Sequence, residues 1–208
     1  VGLNNDVLVI DDLSNSFFNV TKIIKNLTKK NFYFHEIDIC NKKKLNTIFS
    51  KFQPDIVLHL ACLKSVEESK DNPLKYYDKN INGIINLLDI MDQNYCKKII
   101  FSSSATVYGN PSYNPIDEDH ICNPINAYGR TKYFAEEIIK DWVNIDKNNT
   151  SLILRYFNPL GADKSGFIGE SPKSKPTNIS PILVEAIEDT SKTMSVFGND
   201  YNTPDGTC

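Results

Sequence analysis

The chain alternates short, continuous apolar runs with longer segments in which apolar residues recur every three or four positions. The runs predict strands at Val7–Ile10, Phe32–Ile37, Ile56–Leu60, Lys98–Ser102 and Leu152–Phe157. The continuous apolar run Val7–Ile10 is typical of a strand that is buried on both faces. The periodic segments predict helices, at Val20–Leu27, Leu45–Phe52, Pro73–Met91 and Ala127–Trp142. Because strands and helices alternate, we predict an α/β domain whose parallel sheet is flanked by helices.

Polar side chains follow nearly every predicted strand. They are Asp11, Asp38, Lys64, Ser102 to Ser104 and Asn158. Ligands of parallel sheets bind outside the carboxyl ends of the strands, where these side chains would meet. A sheet with a purely structural role has no need of a reactive side chain at so many strand ends. This edge of the sheet is therefore the predicted functional site.

The segment from Tyr128 to Lys132 carries the candidate chemistry. On a helix, Tyr128 and Lys132 share a face because they are four positions apart. A lysine ammonium beside a phenol stabilises the phenolate, so we expect the pKa of Tyr128 to fall from about 10 towards neutrality. Such a phenol is a usable general base, and the serine triplet after Phe101 can bring a hydroxyl beside it. Taken alone, the pair also fits a solvated helix with no function.

An acidic residue that ends a strand is how a dinucleotide-binding fold holds the adenosine ribose. Asp11 fits this role, and Asp12 beside it would repel the extra phosphate of NADP, which favours NAD. The Gly-rich phosphate turn should precede such an acid by about 20 residues. The segment Val1–Asn5 contains no such motif. Because polar residues at the other strand ends still favour a dinucleotide-binding fold, we expect a Rossmann-like parallel sheet. Within this sequence, it lacks its first strand and Gly-rich loop.

The character of the chain changes after Phe157. Residues 158–180 are rich in Pro, Gly, Ser and Lys, and they show no sustained periodicity. A helix is predicted at Ile179–Ile187 and a short strand at Ser195–Phe197. We expect residues 1–158 to form the NAD-binding domain, incomplete at its N-terminus. Residues 159–208 would begin a smaller second region, incomplete at its C-terminus.

Composition excludes several other classes of function. The 208 residues carry a net charge of −3, which gives no electrostatic footprint for nucleic acid or an anionic membrane. No apolar stretch approaches a membrane span of about 20 residues, and no secretory signal is recognisable. The five cysteines are scattered and the three histidines lack ligand spacing, so we predict no metal site. A reducing, cytoplasmic setting is expected.

Taken together, the motifs resemble those of the UDP-glucose 4-epimerases, in the extended short-chain dehydrogenase/reductase superfamily. The resemblance covers nearly the whole chain. The Tyr-x-x-x-Lys pair is shared across the superfamily, whereas two longer motifs are more specific. Those are the run from Phe101 to Gly109 (FSSSATVYG) and the run from Arg155 to Pro159 (RYFNP). Further matching segments are 9–16, 59–66, 76–83 and 197–201.

The resemblance implies NAD as a permanently held cofactor and UDP-glucose and UDP-galactose as substrates. It also implies that residues 159–208 begin a UDP-sugar-binding region. Tyr128 would take the proton of the sugar 4-hydroxyl, Lys132 would hold the nicotinamide ribose, and Ser104 would share in proton movement. It assigns cofactor binding to Asp11, Asp12, Leu13, Ser14, Asn15, Ser16, Asp38, Ile39, Leu60, Ala61, Cys62, Lys64, Asn80, Ser104, Tyr128, Lys132 and Phe157. It assigns substrate binding to Lys64, Ser104, Tyr128, Asn158, Asn178, Ile179, Ser195, Val196 and Phe197.

Three departures from the family keep other hypotheses open. Cys62 stands where a glycine is usual, and the Gly-rich loop and a UDP-binding arginine expected after Thr207 are not in this sequence. A non-catalytic fragment that binds cofactor poorly or acts through interactions is the first alternative. A sibling sugar-nucleotide dehydratase or decarboxylase is the second. A homodimer through the predicted helices Leu74–Met91 and Ala127–Trp142 is a further hypothesis.

Overall fold

The structure, a computed structural model, describes residues 5–173, 178–189, 191–195, 198–201 and 203–207. The chain forms two compact units. The first comprises Val1–Leu13 and Ile24–Pro159, and the second comprises Ser14–Ile23 and Leu160–Cys208. The sequence did not indicate that the segment 14–23 groups with the C-terminal part. The assignment of the two parts to cofactor and sugar remains a prediction.

The described residues of the first unit form five strands, and every pairing between them is parallel. They are β1 (Leu8–Asp11), β2 (Tyr33–Glu36), β3 (Val57–His59), β4 (Lys98–Ser104) and β5 (Thr150–Tyr156). Together with the helices, they confirm the predicted α/β class. The backbone ladders join β1 to β2, and β3 to β4 to β5.

Within the described residues, the two ladders do not pair with each other. In a doubly wound sheet of order 3-2-1-4-5-6, the first strand lies between the second and the fourth. If β1 is the second strand of such a sheet, the interruption falls at the place of the first. The split ladder therefore agrees with the expectation that these residues do not include a first strand.

Seven helices are described in the resolved ranges: α1 (Asn19–Thr28), α2 (Lys42–Phe52), α3 (Val66–Asp71), α4 (Pro73–Tyr76), α5 (Asn82–Gln93), α6 (Ala127–Ile145) and α7 (Ile179–Glu188). The predicted helix Pro73–Met91 is divided by a π-helical turn at Tyr77–Ile81. Helix α3 was missed because six residues are too few to show a helical period. The strand predicted at Ser195–Phe197 lies mostly outside the described residues.

One face of the three-stranded sheet carries the core. Phe49 of α2, Leu88 of α5 and Ile139 of α6 pack against Ile99 and Phe101 of β4 in one buried cluster. Side chains alternate between the faces of a strand, so the neighbours of buried positions point the other way. Leu58 and Leu152 lie on that opposite face, and each is more than half exposed.

No helix among the described residues is long and apolar enough to cross a membrane.

Truncating Ile139 tests the packing of α6 against the sheet. Its side chain is fully buried, so Ile139→Ala is expected to lower the free energy of unfolding by about 2–5 kcal/mol. Ile121→Ala is the matched control, because Ile121 is 73% exposed. Urea denaturation of both variants measures the difference. Equal midpoints for the two variants would contradict this account of the core.

Candidate active site

The serine triplet lies at the carboxyl end of β4, the central strand of the three-stranded sheet. The sequence predicted that the strand would end at Ser102, but the ladder with β5 continues until Ser104 pairs with Tyr156. The three serines therefore alternate within the strand and do not follow it. The Ser104 Oγ accepts hydrogen bonds from the Thr106 N–H (3.3 Å) and from the Thr106 hydroxyl (3.0 Å). Both acceptor positions are used, so the Ser104 proton can be donated elsewhere.

Helix α6 begins close to the end of β4. The Asn126 side chain caps the helix by accepting from the Gly129 N–H at 2.7 Å. A Cβ at Gly129 would lie 2.8 Å from the Thr106 carbonyl oxygen, closer than real Cβ contacts allow. The absence of a side chain at Gly129 therefore permits the first turn of α6 to approach the turn at Ala105–Val107.

Lys132 is buried between α6 and β4, with only 3% of its surface exposed. Its Nζ donates to the Ser102 carbonyl oxygen at 2.6 Å. It also lies 4.9 Å from the centre of the Phe101 ring and 5.9 Å from that of Tyr128. A buried ammonium needs such partners, because desolvation of an unpaired charge is costly.

The environment of Tyr128 raises the pKa of its phenol to about 12, chiefly through burial and also through the nearby Cys62. The hydrogen bond from Ser104 acts in the opposite direction. This corrects the expectation that Lys132 would lower the pKa of Tyr128. The ammonium lies over the ring and bonds to the Ser102 carbonyl, so burial dominates. The structure does bring Ser104, Tyr128 and Lys132 together.

Asn80 lies in the π-helical turn and ties two parts of the site together. Its amide accepts from the Leu63 N–H at 2.9 Å and donates to the Thr131 hydroxyl at 3.1 Å. It therefore fixes the loop after β3 to the helix that carries Tyr128. Thr131 is not among the residues predicted from the sequence, although its place between Tyr128 and Lys132 was an available signal. The role of Asn80 as a cofactor ligand remains a prediction.

Two predicted acidic residues lie at the ends of β1 and β2. The Asp11 Oδ1 accepts from the Leu13 N–H at 2.7 Å, and Leu13 has a left-handed φ of 53°. Asp38 bonds the Lys79 Nζ at 2.5 Å and the Cys40 N–H at 2.8 Å. Burial alone would raise the pKa of Asp38, but these bonds outweigh it and the pKa is lowered. Asp38 is therefore a carboxylate at neutral pH.

The remaining predicted residues are distributed over both units. In the first unit, Asp12, Leu60, Ala61, Lys64, Phe157 and Asn158 are exposed, and Leu13, Ile39 and Cys62 are half-buried. Ser14, Asn15, Ser16, Asn178, Ile179 and Ser195 belong to the second unit. There the Asn178 amide donates to the Glu170 carboxylate at 2.5 Å. Val196 and Phe197 lie outside the described residues.

Within the part of the chain that the structure describes, no group of three or more His, Cys, Asp or Glu residues could hold a metal ion.

Comparison with known proteins defines the class. The family model described as GDP-mannose 4,6 dehydratase matches residues 2–208. The chain therefore belongs to this family, within the NAD-dependent epimerase/dehydratase group of the extended short-chain dehydrogenase/reductase superfamily. Its similar relatives are UDP-glucose 4-epimerases, which confirms the resemblance indicated by the motifs.

The chain is 46% identical to the UDP-glucose 4-epimerase of Dictyostelium discoideum over 96% of its length and 58% of the relative. It is 42% identical to the UDP-glucose 4-epimerase of Homo sapiens over 96% of its length and 60% of that relative. A crystal structure of UDP-glucose 4-epimerase from Bifidobacterium longum, in complex with NAD+ and UDP, matches with a TM-score of 0.95 at 39% identity. It covers 99% of this chain and 62% of that one. The chain thus spans about three fifths of the length of these relatives.

The buried imidazole of His59 should make stability depend on pH. It stacks on Phe101 with ring centres 5.7 Å apart. Burial, and then the charge of Lys132, lower its pKa from 6.5 to about 3. Between these two values the unfolded chain binds a proton that the folded chain does not. Stability should therefore fall as pH decreases through this window, by at most about 1.4 kcal/mol per pH unit.

The measurement is urea denaturation of the parent and of His59→Asn at several pH values from 7 to 4. Acidic residues contribute to both proteins, so the difference between the two slopes isolates His59. We expect the variant to lose less stability on acidification. Parallel curves would show that His59 gains a proton in the folded chain.

Proposed function

We propose that this chain carries the catalytic centre of a UDP-glucose 4-epimerase, which interconverts UDP-glucose and UDP-galactose in galactose metabolism. The meeting of Ser104, Tyr128 and Lys132 at the carboxyl end of β4 is the observation that carries the proposal. The identity of 46% to the Dictyostelium discoideum epimerase supports it. The reaction oxidises C4 of the sugar, turns the resulting ketone over, and reduces it on the other face.

The residues at the strand ends suit NAD. The Asp11 carboxylate would bind the hydroxyls of the adenosine ribose, and the charge of Asp12 would disfavour a ribose phosphate. The buried Lys132 ammonium would donate to the nicotinamide ribose, and the exposed Phe157 ring offers an apolar contact. When bound, NAD accepts the hydride from C4 and returns it. The Bifidobacterium longum relative was crystallised with NAD+ and UDP, which supports this assignment.

Tyr128 is the proposed base, and its raised pKa indicates when it can act. A half-buried phenol with a pKa of about 12 stays protonated at neutral pH. A positive charge nearby lowers the pKa of a phenol, and oxidised nicotinamide carries one. Tyr128 would therefore gain basic character only with the oxidised cofactor in place. Substrate oxidation is thereby confined to the complex that can accept the hydride.

Ser104 completes the path of the proton. Its oxygen accepts two bonds from Thr106, so its own proton is available for donation. In the proposed reaction, the sugar 4-hydroxyl gives its proton to Tyr128 while Ser104 hydrogen-bonds the same oxygen. The proton returns by the same route after the hydride is delivered to the other face.

By resemblance, the UDP-sugar would be bound by Lys64, Asn158, Asn178, Ile179 and Ser195. Val196 and Phe197 complete the proposed set. Inversion at C4 requires that UDP is held firmly while the hexose can rotate, so these contacts should concentrate on the nucleotide.

A sibling dehydratase is the second candidate, because the matching family model is described as a dehydratase. A dehydratase would usually show Thr-Asp-Glu where Ser104-Ala105-Thr106 stand. Ala105 and Thr106 supply no carboxylate for the removal of water across the sugar. This triplet therefore favours the epimerase.

The assay uses the 208-residue chain and a form extended at both ends with the flanking segments of the Dictyostelium discoideum epimerase. UDP-galactose is supplied and UDP-glucose is followed. The extended form should interconvert the two sugars. The 208-residue chain should be far slower, since the phosphate-binding amides of a Gly-rich loop are not among its residues.

Tyr128→Phe in the extended form should lower kcat by about 10²–10⁴-fold, the usual contribution of a general base. Tyr95→Phe is the control, because Tyr95 is 87% exposed in the turn after α5. An extended protein with no interconversion, or a Tyr128→Phe variant that is as active as the control, would overturn the proposal.

The active protein is proposed to be a homodimer through the outer faces of α4, α5 and α6. Leu74, Ile85 and Phe134 are 80%, 46% and 43% exposed, although all are large and apolar. The Tyr77 ring lies 6.3 Å from the Phe134 ring, so the apolar surface continues from the π-helical turn to α6. Burial of such a surface against a second copy would remove it from water.

Light scattering after gel filtration tests this. The extended protein should have the mass of two chains, and the double substitution Ile85→Glu with Phe134→Glu should give one chain. Tyr95→Glu is the exposed control and should remain dimeric. A monomeric parent would contradict the proposed dimer.

A further inference from the structure

A buried ion pair lies one helical turn beyond the reacting groups. The Glu136 side chain is completely buried, and its partner Arg155 is 16% exposed. The Arg155 guanidinium donates to the Glu136 carboxylate through Nη2 at 2.7 Å and through Nε at 3.1 Å. The Ser103 hydroxyl donates to the same carboxylate in a short hydrogen bond. One carboxylate thus joins α6, β4 and β5.

The guanidinium is itself held in a fixed orientation. Its Cζ lies 4.9 Å from the centre of the Tyr108 ring, and its Nη1 donates to the Glu118 carbonyl oxygen at 3.4 Å. The hydrogen bond to Glu136 raises the pKa of Arg155, so the guanidinium stays charged. Planar fork-to-carboxylate pairing fixes direction as well as distance.

Stability alone gives a poor reason for this arrangement. Both charges lose their hydration, and apolar side chains of similar volume in place of a buried ion pair are often as stable or more so. The surrounding cluster of α6 and β4 is already apolar, as Ala135 and Ile139 beside Glu136 illustrate. What the ion pair adds over an apolar contact is a defined position of the helix relative to both strands.

That position is the one on which the active site depends. Tyr128, Lys132 and Glu136 are spaced by four and lie along one face of α6, about 6 Å apart per step. On the sheet, Ser103 pairs with Arg155 in the register immediately before Ser104. The ion pair therefore fixes α6 to the sheet one helical turn after Lys132 and one strand position before Ser104.

We infer that Glu136, held by Ser103 and Arg155, is a positioning residue that sets the approach of Tyr128 to Ser104. This inference rests on the proposed function, because it deepens the account of that same site. Displacement of a reacting group by about 1 Å can lower a rate about 10²-fold. The sequence offered one signal: an acidic residue four positions after Lys132, on the buried face of the helix.

The decisive variant is Glu136→Leu combined with Arg155→Met in the extended protein. It replaces the ion pair with apolar groups and leaves no unpaired buried charge. We expect a urea midpoint near that of the parent, a KM for UDP-galactose within about twofold, and a kcat lower by about 10²-fold. A kcat equal to that of the parent would overturn the inference.

The matched control is the neighbouring ion pair of the same helix. Glu137 and Lys140 lie 2.7 Å apart, and their side chains are 47% and 51% exposed. Glu137→Leu with Lys140→Met should leave kcat unchanged. If this control lowers kcat as much as the buried pair, the effect belongs to the helix in general and the inference fails.

Ser103 provides a milder variant should the double substitution prevent folding. Ser103→Ala keeps the ion pair but removes its link to β4, and should lower kcat by roughly tenfold. Ser103→Thr restores the hydroxyl and should recover most of the rate. A role limited to stability predicts neither the loss at constant KM nor the recovery, and their absence would contradict positioning.

A measurement without turnover separates this inference from the proposed function. The ¹³Cζ chemical shift of Tyr128, assigned with Tyr128→Phe, reports the interaction of its phenol with Ser104. The Ser104→Ala variant gives the chemical shift without that interaction. Removal of the buried ion pair should move the Tyr128 chemical shift towards the value measured in Ser104→Ala. An unchanged resonance overturns the inference, whether or not the extended protein interconverts UDP-sugars. A shift in a protein without turnover would overturn the proposed function alone.

Discussion

The close contact between the first turns of α6 and the end of β4 is the constraint on which the site depends. Gly129 permits it, because a side chain there would collide with the Thr106 carbonyl. The Asn126 cap fixes where the helix begins, and the Lys132 ammonium reaches the Ser102 carbonyl across the gap. The same contact brings Tyr128 close to Ser104 and Lys132.

Burial at this contact makes the electrostatics unusual. The ammonium of Lys132 and the ion pair of Glu136 and Arg155 are removed from water along one face of α6. Each charge is matched by carbonyls, rings or an opposite charge, as low-dielectric surroundings require. The same burial lowers the pKa of His59 and raises that of Tyr128. Buried charges and shifted pKa values therefore cluster at the carboxyl ends of β3 and β4.

Much of the fold could be predicted because its signals are local. Continuous apolar runs predicted all five strands, and helical periodicity predicted α1, α2, α5, α6 and α7. Short helices and irregular turns were not predicted, because they show no sustained periodicity. Helix α3 has six residues, and the π-helical turn that aims Asn80 at Leu63 and Thr131 leaves no periodic mark. The extension of β4 to Ser104 came from pairing with β5, which is not a local property of serine residues.

The sequence by itself determined the alternation of strands and helices and the polar residues at strand ends, which together predicted the parallel sheet and the place of the site. It also determined that Tyr128, Lys132 and Glu136 share a helix face, because helical geometry fixes that spacing. Only the tertiary structure decided the direction of the Tyr128 pKa and the partners of Glu136. Those properties depend on burial and on distances between residues far apart in the chain, which no local pattern encodes.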